Sequence, residues 1–168
     1  MATTLDLVYQ YRLLIGKCQS GQGLDVDEID ALMTIEALFD VQRAKPGTGR
    51  CRRAHTRDEV DLRATLRNKK LSDAVRVVDL GPGGMVCRNV PYLERGDQVE
   101  VVFDDDELRV SYRFHATVAW VDDDGDDWMC GLELVGTPVL VRFGPPSGKS
   151  KRAESENGET AKFERVAA

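Results

Sequence analysis

Histidine and cysteine are scarce in this 168-residue chain. Its two histidines, His55 and His115, share no ligand spacing with Cys18, Cys51, Cys87 and Cys130, and the cysteines themselves form no C-x-x-C pair. A zinc module or a disulfide framework is therefore not expected, and the cysteines read as isolated reduced thiols. Long apolar runs are also missing, since none approaches the roughly 20 residues a membrane-spanning helix needs. The first residues, MATTLDLVYQYRLLIGKC, lack a basic leader and a small-residue cleavage site. These absences lead us to expect a cytoplasmic protein without membrane insertion. No Ser/His/Asp or Cys/His arrangement, phosphate-binding loop or metal motif is visible, so no catalytic residues, metal site or cofactor are expected.

The charge that is present is segregated. The formal net charge of -6 combines a basic stretch, residues 50–76 with nine Arg and Lys against four acids, with an acidic one, residues 97–127 with eleven acids against Arg109 and Arg113. A nucleic-acid binder would be basic over a whole face, so no nucleic-acid partner is expected. One anion-attracting edge beside a repelling face suits a small anion instead. The acidic runs 104–107 and 122–127 read as solvated loop tips.

Residues 1–42 read as a helical hairpin. Leu7, Tyr11, Leu14, Ile15 and Cys18 recur at helical spacing before Gly21-Gln-Gly23 interrupts them. Asp25-Val-Asp-Glu28 then offers a capping-box start to a second helix, with Ile29, Leu32, Ile35 and Phe39 as its apolar stripe and Asp27, Asp30 and Asp40 opposite. A hairpin this small buries little alone, so it must pack on the rest of the chain or on another copy. Residues 43–49 read as a linker and 145–168, nearly free of apolar residues, as a flexible polar tail.

From Val60 the period switches to two. Val60, Leu62, Ala64 and Leu66 alternate with polar residues; Val75, Val77 and Asp79 lead to a turn at Gly81-Pro-Gly-Gly84. Leu108, Val110, Tyr112, Phe114, Ala116, Val118 and Trp120 then mark a long, half-buried strand. Trp128, Cys130, Leu132 and Leu134 pair back along it, and Val139 to Phe143 closes the sheet, with Pro138 marking its start. Trp120 and Trp128 read as core or rim residues.

Two features flank the first strand of this region. Arg52 and Arg53 stand with Arg57 in Arg52-Arg-Ala-His-Thr-Arg57, and Asp79-Leu-Gly-Pro-Gly-Gly84 ends the second strand. Guanidinium forks fit phosphate oxygens and the O6/N7 edge of guanine, and a carboxylate accepts from guanine N1 and N2. Glycines let a ligand approach the backbone. These chemistries suit an anionic guanine nucleotide, although a solvated basic loop beside a plain tight turn accounts for the same residues.

Here the chain resembles the PilZ family, bacterial sensors of cyclic di-GMP, whose pattern is R-x-x-x-R, then [DN]-x-S-x-x-G, G-x-V-x-W and G-[LVI]-x-[FL]. The matching segments are Arg53-Ala-His-Thr-Arg57, Asp79-Leu-Gly-Pro-Gly-Gly84, Ala116-Thr-Val-Ala-Trp120 and Cys130-Gly-Leu-Glu-Leu134, in family order across residues 50–144. The resemblance implies a mainly β fold, a six-stranded antiparallel β-barrel, here following the N-terminal helical hairpin. It implies a cyclic di-GMP site at Arg52, Arg53, Arg57, Asp79, Gly81 and Gly84, with Gly81 standing where the family has serine. The function it implies is regulatory: the protein senses cyclic di-GMP and relays it to a protein partner, through the helices or the acidic face, in motility or surface behaviour. The alternative is a degenerate adaptor that does not bind cyclic di-GMP and acts by protein–protein contact; a homodimer is compatible with either.

Overall fold

A computed structural model describes residues 3–43 and 57–144, residues 124 and 126 excepted. Two helices, α1 (Thr4–Gln19) and α2 (Val26–Arg43), precede six strands: β1 (Asp58–Arg67), β2 (Ser72–Gly81), β3 (Gly84–Arg88), β4 (Gln98–Asp105), β5 (Val110–Asp123) and β6 (Trp128–Arg142). The strands close into an antiparallel barrel in the order β1-β2-β3-β6-β5-β4. Closure is short, resting on Thr65–Arg67 of β1 against Glu100–Val102 of β4. The anticipated mainly β barrel with two N-terminal helices is therefore present.

The period-two residues fill the barrel. Ala64, Leu66, Val75, Val77, Met85, Val101, Phe114, Ala116, Val118 and Leu132 are all buried in one core, and Phe103 meets Phe114 edge-to-face at 5.9 Å. Cys87 and Cys130 face each other across β3 and β6 inside it. The hydrogen bond to Cys130 and burial together push the Cys87 thiol up, so it stays protonated.

The strands depart from strict alternation at four bulges. One lies between Val77 and Asp79 and another between Val118 and Trp120. Each inserts an extra residue, so Asp79 and Trp120, which simple alternation would send inward, lie on the outer face. Leu108 falls in the β4–β5 turn and is exposed instead of extending the long strand. The last two expected strands are one, because β6 continues through Pro138. Between Val135 and Val139 its register against β5 shifts and Gly136 takes φ 67°. That bulge frees Pro138 from having to donate to the ladder.

Helix α1 closes one end of the barrel. Thr3 and Asp6 form a reciprocal capping box that starts it. Val8, Tyr11 and Leu14, one face at helical spacing, join the barrel core, whereas Cys18 is exposed. Gly16 lets the helix approach β6 so closely that a Cβ there would collide with Thr137. Arg12 donates to the Gly136 carbonyl at 2.6 Å, and Thr4 donates to Asp58 at 3.0 Å. The hydroxyl of Tyr112, a barrel residue, donates to Asp6 at 2.5 Å, and the Tyr112 ring meets Tyr9 edge-to-face at 5.4 Å.

Helix α2 packs less completely. Its box forms as expected, with Glu28 N donating to Asp25 at 2.8 Å and Asp25 N to Glu28 at 3.2 Å, and Lys17 pairs with Glu28 between the helices. Ile35 and Phe39 are buried, but Ile29, placed on the packed stripe by its spacing, is 45% exposed. Val26 at 73% and Met33 at 63% share its side. The apolar residues thus lie on both faces and the helix has no clean polar side. The expected linker and tail, 43–49 and 145–168, fall outside the described residues from position 44 onward.

The Asp6–Tyr112 bond makes the helix–barrel junction sensitive to pH at both ends of the scale. Burial pushes the Asp6 carboxyl up, but the hydrogen bonds from Tyr112 and from Thr3 outweigh it and leave it below its usual value. Burial, then the bond to Asp6, raises Tyr112 to about 12. The depressed carboxyl contributes stability above its unfolded pKa of about 4, lost as pH falls through the folded value. The raised phenol contributes below about 10, lost as pH climbs toward about 12. Tyr112→Phe is expected to cost about 1.5 kcal/mol at neutral pH, the low end for a bond to a charged group. It should also flatten the alkaline limb of a urea-denaturation stability profile.

Candidate anion-binding site

The second motif forms the β2–β3 hairpin. Gly81 pairs with Gly84 across the two-residue turn Pro82-Gly83, Pro82 is fully buried, and Leu134 N donates to the Gly83 carbonyl at 3.1 Å. The turn is thereby tied to β6. Gly84 is packed from two sides: a Cβ there would lie 2.3 Å from the Leu132 carbonyl oxygen and 2.8 Å from the Arg57 guanidinium. A side chain at this position would have to push apart the β3–β6 backbones, so glycine is required by close approach. Gly81 is buried and its φ is not positive, in contrast to Gly21, Gly23, Gly96, Gly125 and Gly136.

Arg57 enters β1 immediately before Asp58, which pairs with Leu80. Its side chain turns across the hairpin, over Gly84, and reaches within 3.7 Å of the Asp79 carboxylate. The two side chains are only 18% and 24% exposed. At 3.7 Å this is an ion pair and not a close hydrogen bond, and in a partly dry setting it is stronger than the same pair on open surface. The structure thus brings together Arg57, Asp79, Gly81 and Gly84. Arg52 and Arg53 lie outside the described residues.

Register across the barrel shows what the motifs do not. Glu59 faces Asp79, Asp79 faces Val86, Val86 faces Gly131, and Gly131 faces Trp120. These five residues form one row across the outer surface of five strands. Val86 is buried yet stands apart from the barrel core. The Trp120 indole lies directly over Gly131, where a Cβ would come within 2.0 Å of its Nε1. The two C-terminal motifs, separate in sequence, are one cross-strand contact: the glycine of the second is the seat for the tryptophan of the first. Trp120 keeps 38% exposure, so it is a rim residue with a free ring surface. Trp128 lies further along the same strand pair and meets Tyr92 edge-to-face at 5.9 Å. The row thus has a carboxylate and guanidinium on one side and an aromatic plate on the other.

The model of the PilZ domain family matches residues 52–142. No curated protein sequence matches the chain. Among solved structures, that of the Bacillus subtilis Inhibitor of motility (MotI/DgrA) is similar, with 14% identity and a TM-score of 0.44. The likeness covers 52% of this chain and 44% of that one, so the chain spans less than half of that protein's length.

The two packed glycines should respond differently to a methyl group. At Gly84 the nearest obstacle is backbone, so Gly84→Ala is expected to cost about 1–3 kcal/mol, as for overpacking of a well-filled site. At Gly131 the obstacle is an indole that can swing into solvent. Gly131→Ala should cost less and shift tryptophan emission to longer wavelength. Thermal melts and fluorescence spectra of both variants check this ordering.

Proposed function

The chain belongs to the PilZ domain family, a family of regulatory proteins, and from that premise we propose that its barrel binds cyclic di-GMP and relays occupancy to a protein partner. The observation that carries this reading is the placement of Arg57 over Gly84 and beside Asp79. A guanidinium on a glycine floor can take a phosphate oxygen or the O6/N7 edge of guanine. The adjacent carboxylate can accept from guanine N1–H and N2–H. Trp120, on the same outer row, supplies a ring face for an aromatic base. Arg53 and Arg52, which precede β1 in the sequence, are the further guanidinium groups that this proposal assigns to the ligand.

In this proposal residues 50–144 are the unit that reads the ligand, with the hairpin 1–42 appended through 43–49 and a polar tail at 145–168. A partner, or a second copy, meets the helices or the acidic face. In this reading the groups of the site bind and orient a ligand, and the role is regulatory.

Two observations favour the second reading, an adaptor that works without nucleotide. Gly81 has no hydroxyl to offer, and Arg57 already has a counter-ion in Asp79, so a ligand must share or displace that pair. Calorimetric titration of purified protein with cyclic di-GMP at physiological salt separates the two. Binding at micromolar strength is expected, and Arg57→Ala or Arg53→Ala should weaken it by about one to two decades, the worth of a hydrogen bond to a charged group. No heat up to high micromolar ligand, with unchanged tryptophan emission, selects the adaptor.

Gly81→Ser tests the site from the other direction. Because Gly81 does not use a positive φ, a serine should not strain the turn backbone, and the regained hydroxyl should tighten binding by about 1 kcal/mol. The same calorimetric titration reads this change, and a melting curve confirms that the variant is folded.

A further inference from the structure

A second concavity lies at the end of the barrel that α1 covers. It is a cleft of about 510 Å³ between the start of α1 and the strands β1, β4 and β5. Its floor is apolar, formed by Leu5, Val60, Leu62, Phe103 and Tyr112, and one rim is the acidic run Asp104, Asp105, Asp106 and Glu107. Among the described residues, Arg63 is the one cation in the lining. Leu5, Val60 and Leu62 are only partly buried against the core, and Leu108, next to the acidic rim, is 64% exposed.

This rim is fixed. Leu108 N donates to Asp105 at 2.9 Å, Phe143 N donates to the Arg109 carbonyl at 2.9 Å, and the Arg109 side chain donates to the Gly144 carbonyl. The opposite wall is held by the Asp6–Tyr112 and Thr4–Asp58 bonds. A cleft whose walls are already in place loses less ordering entropy when filled. Its volume lies within the range that seats a small ligand or a few side chains.

We propose that this cleft docks a basic, amphipathic segment of a protein partner, with apolar side chains on the Leu5–Val60–Leu62 floor and Lys or Arg against Asp104–Glu107. Charge complementarity selects this occupant. Four carboxylates against one arginine repel nucleotides, nucleic acid and anionic lipid headgroups alike, and the apolar floor has no use for a purely polar cation. The proposal rests on the partner-relay reading of the function but does not need cyclic di-GMP to bind.

The test uses the full chain and a fluorescein-labelled amphipathic peptide of leucine and lysine, with its leucine–glutamate counterpart as control. Anisotropy at physiological salt, without nucleotide, is expected to show saturable binding of the basic peptide and none of the acidic one. Asp106→Lys with Glu107→Lys should weaken it about tenfold, as two charge reversals at an exposed rim allow. Val60→Gln should weaken it by a smaller factor, whereas reversing Asp122 and Asp123, acids elsewhere on the barrel, should leave it unchanged. Because the titration is run without nucleotide, loss of cyclic di-GMP binding and loss of peptide binding are read separately. Equal weakening by the two charge-reversed pairs, or binding of both peptides alike, would overturn the proposal. So would a concentration-dependent dimer abolished by Asp106→Lys with Glu107→Lys, which assigns the cleft to a second copy.

Discussion

A strand offers alternate residues to its two sides, and in a closed sheet that parity must hold around the whole circumference. Six strands enclosing one column of apolar side chains leave no room for an inward carboxylate or an inward tryptophan. Asp79 and Trp120 each sit at a position where unbroken alternation would send them inside. A bulge before each of them, at 77–79 and at 118–120, turns them out. The candidate site therefore depends on the core: the demand for an apolar interior is met by two irregularities, and both place polar or aromatic groups on one outer row.

That row explains why the glycines fall where they do. Gly84 lies under Arg57 and against the Leu132 carbonyl, and Gly131 lies under Trp120. In each case a missing Cβ lets a large side chain lie across the sheet instead of standing off it. Val86, between them, is covered although it faces away from the barrel core. The outer surface is consequently a shallow floor with a charge pair on one side and an indole on the other. Such a surface can hold a flat, anionic, aromatic ligand without any cavity being cut into so small a barrel.

Much of this was legible in the sequence, and the remainder was hidden for physical reasons. The alternation from Val110 to Val118 predicted a long half-buried strand because packing against the core enforces period two, and those residues are buried as that requires. The two helices announced themselves through periodicity and through the Asp25/Glu28 box. The four bulges did not, since an extra residue such as Val78 or Ala119 looks like any other strand residue until its partner strand is placed. Pro138 misled for the same reason: a proline reads as a strand start, yet a bulge at 136–138 lets β6 run through it. The candidate site residues were recognisable by chemistry at Arg57, Asp79, Gly81 and Gly84. The Trp120–Gly131 contact was not, because cross-strand register is a tertiary property. Ile29 was misplaced because α2 has apolar residues on both sides, and periodicity alone cannot say which side packs.

The helical extension has a clear structural consequence. Val8, Tyr11 and Leu14 belong to the same core as the barrel strands, and Asp6 holds the hydroxyl of a barrel tyrosine. Helix α1 therefore acts as the lid of the barrel, packed chiefly along β6 and β2. The acidic cleft lies at the start of that helix, walled by Thr3–Leu5 on one side and by the β4–β5 turn on the other. Arg57 lies immediately before Asp58, the residue to which Thr4 donates. A ligand that pulls on Arg57 thus acts one residue from the helix anchor, and the helix anchor forms a wall of the cleft. The path from the candidate site to the cleft is a single turn of helix and the first residues of one strand. That is short enough for a change in the pairing of Arg57 to alter the shape of the surface a partner would meet.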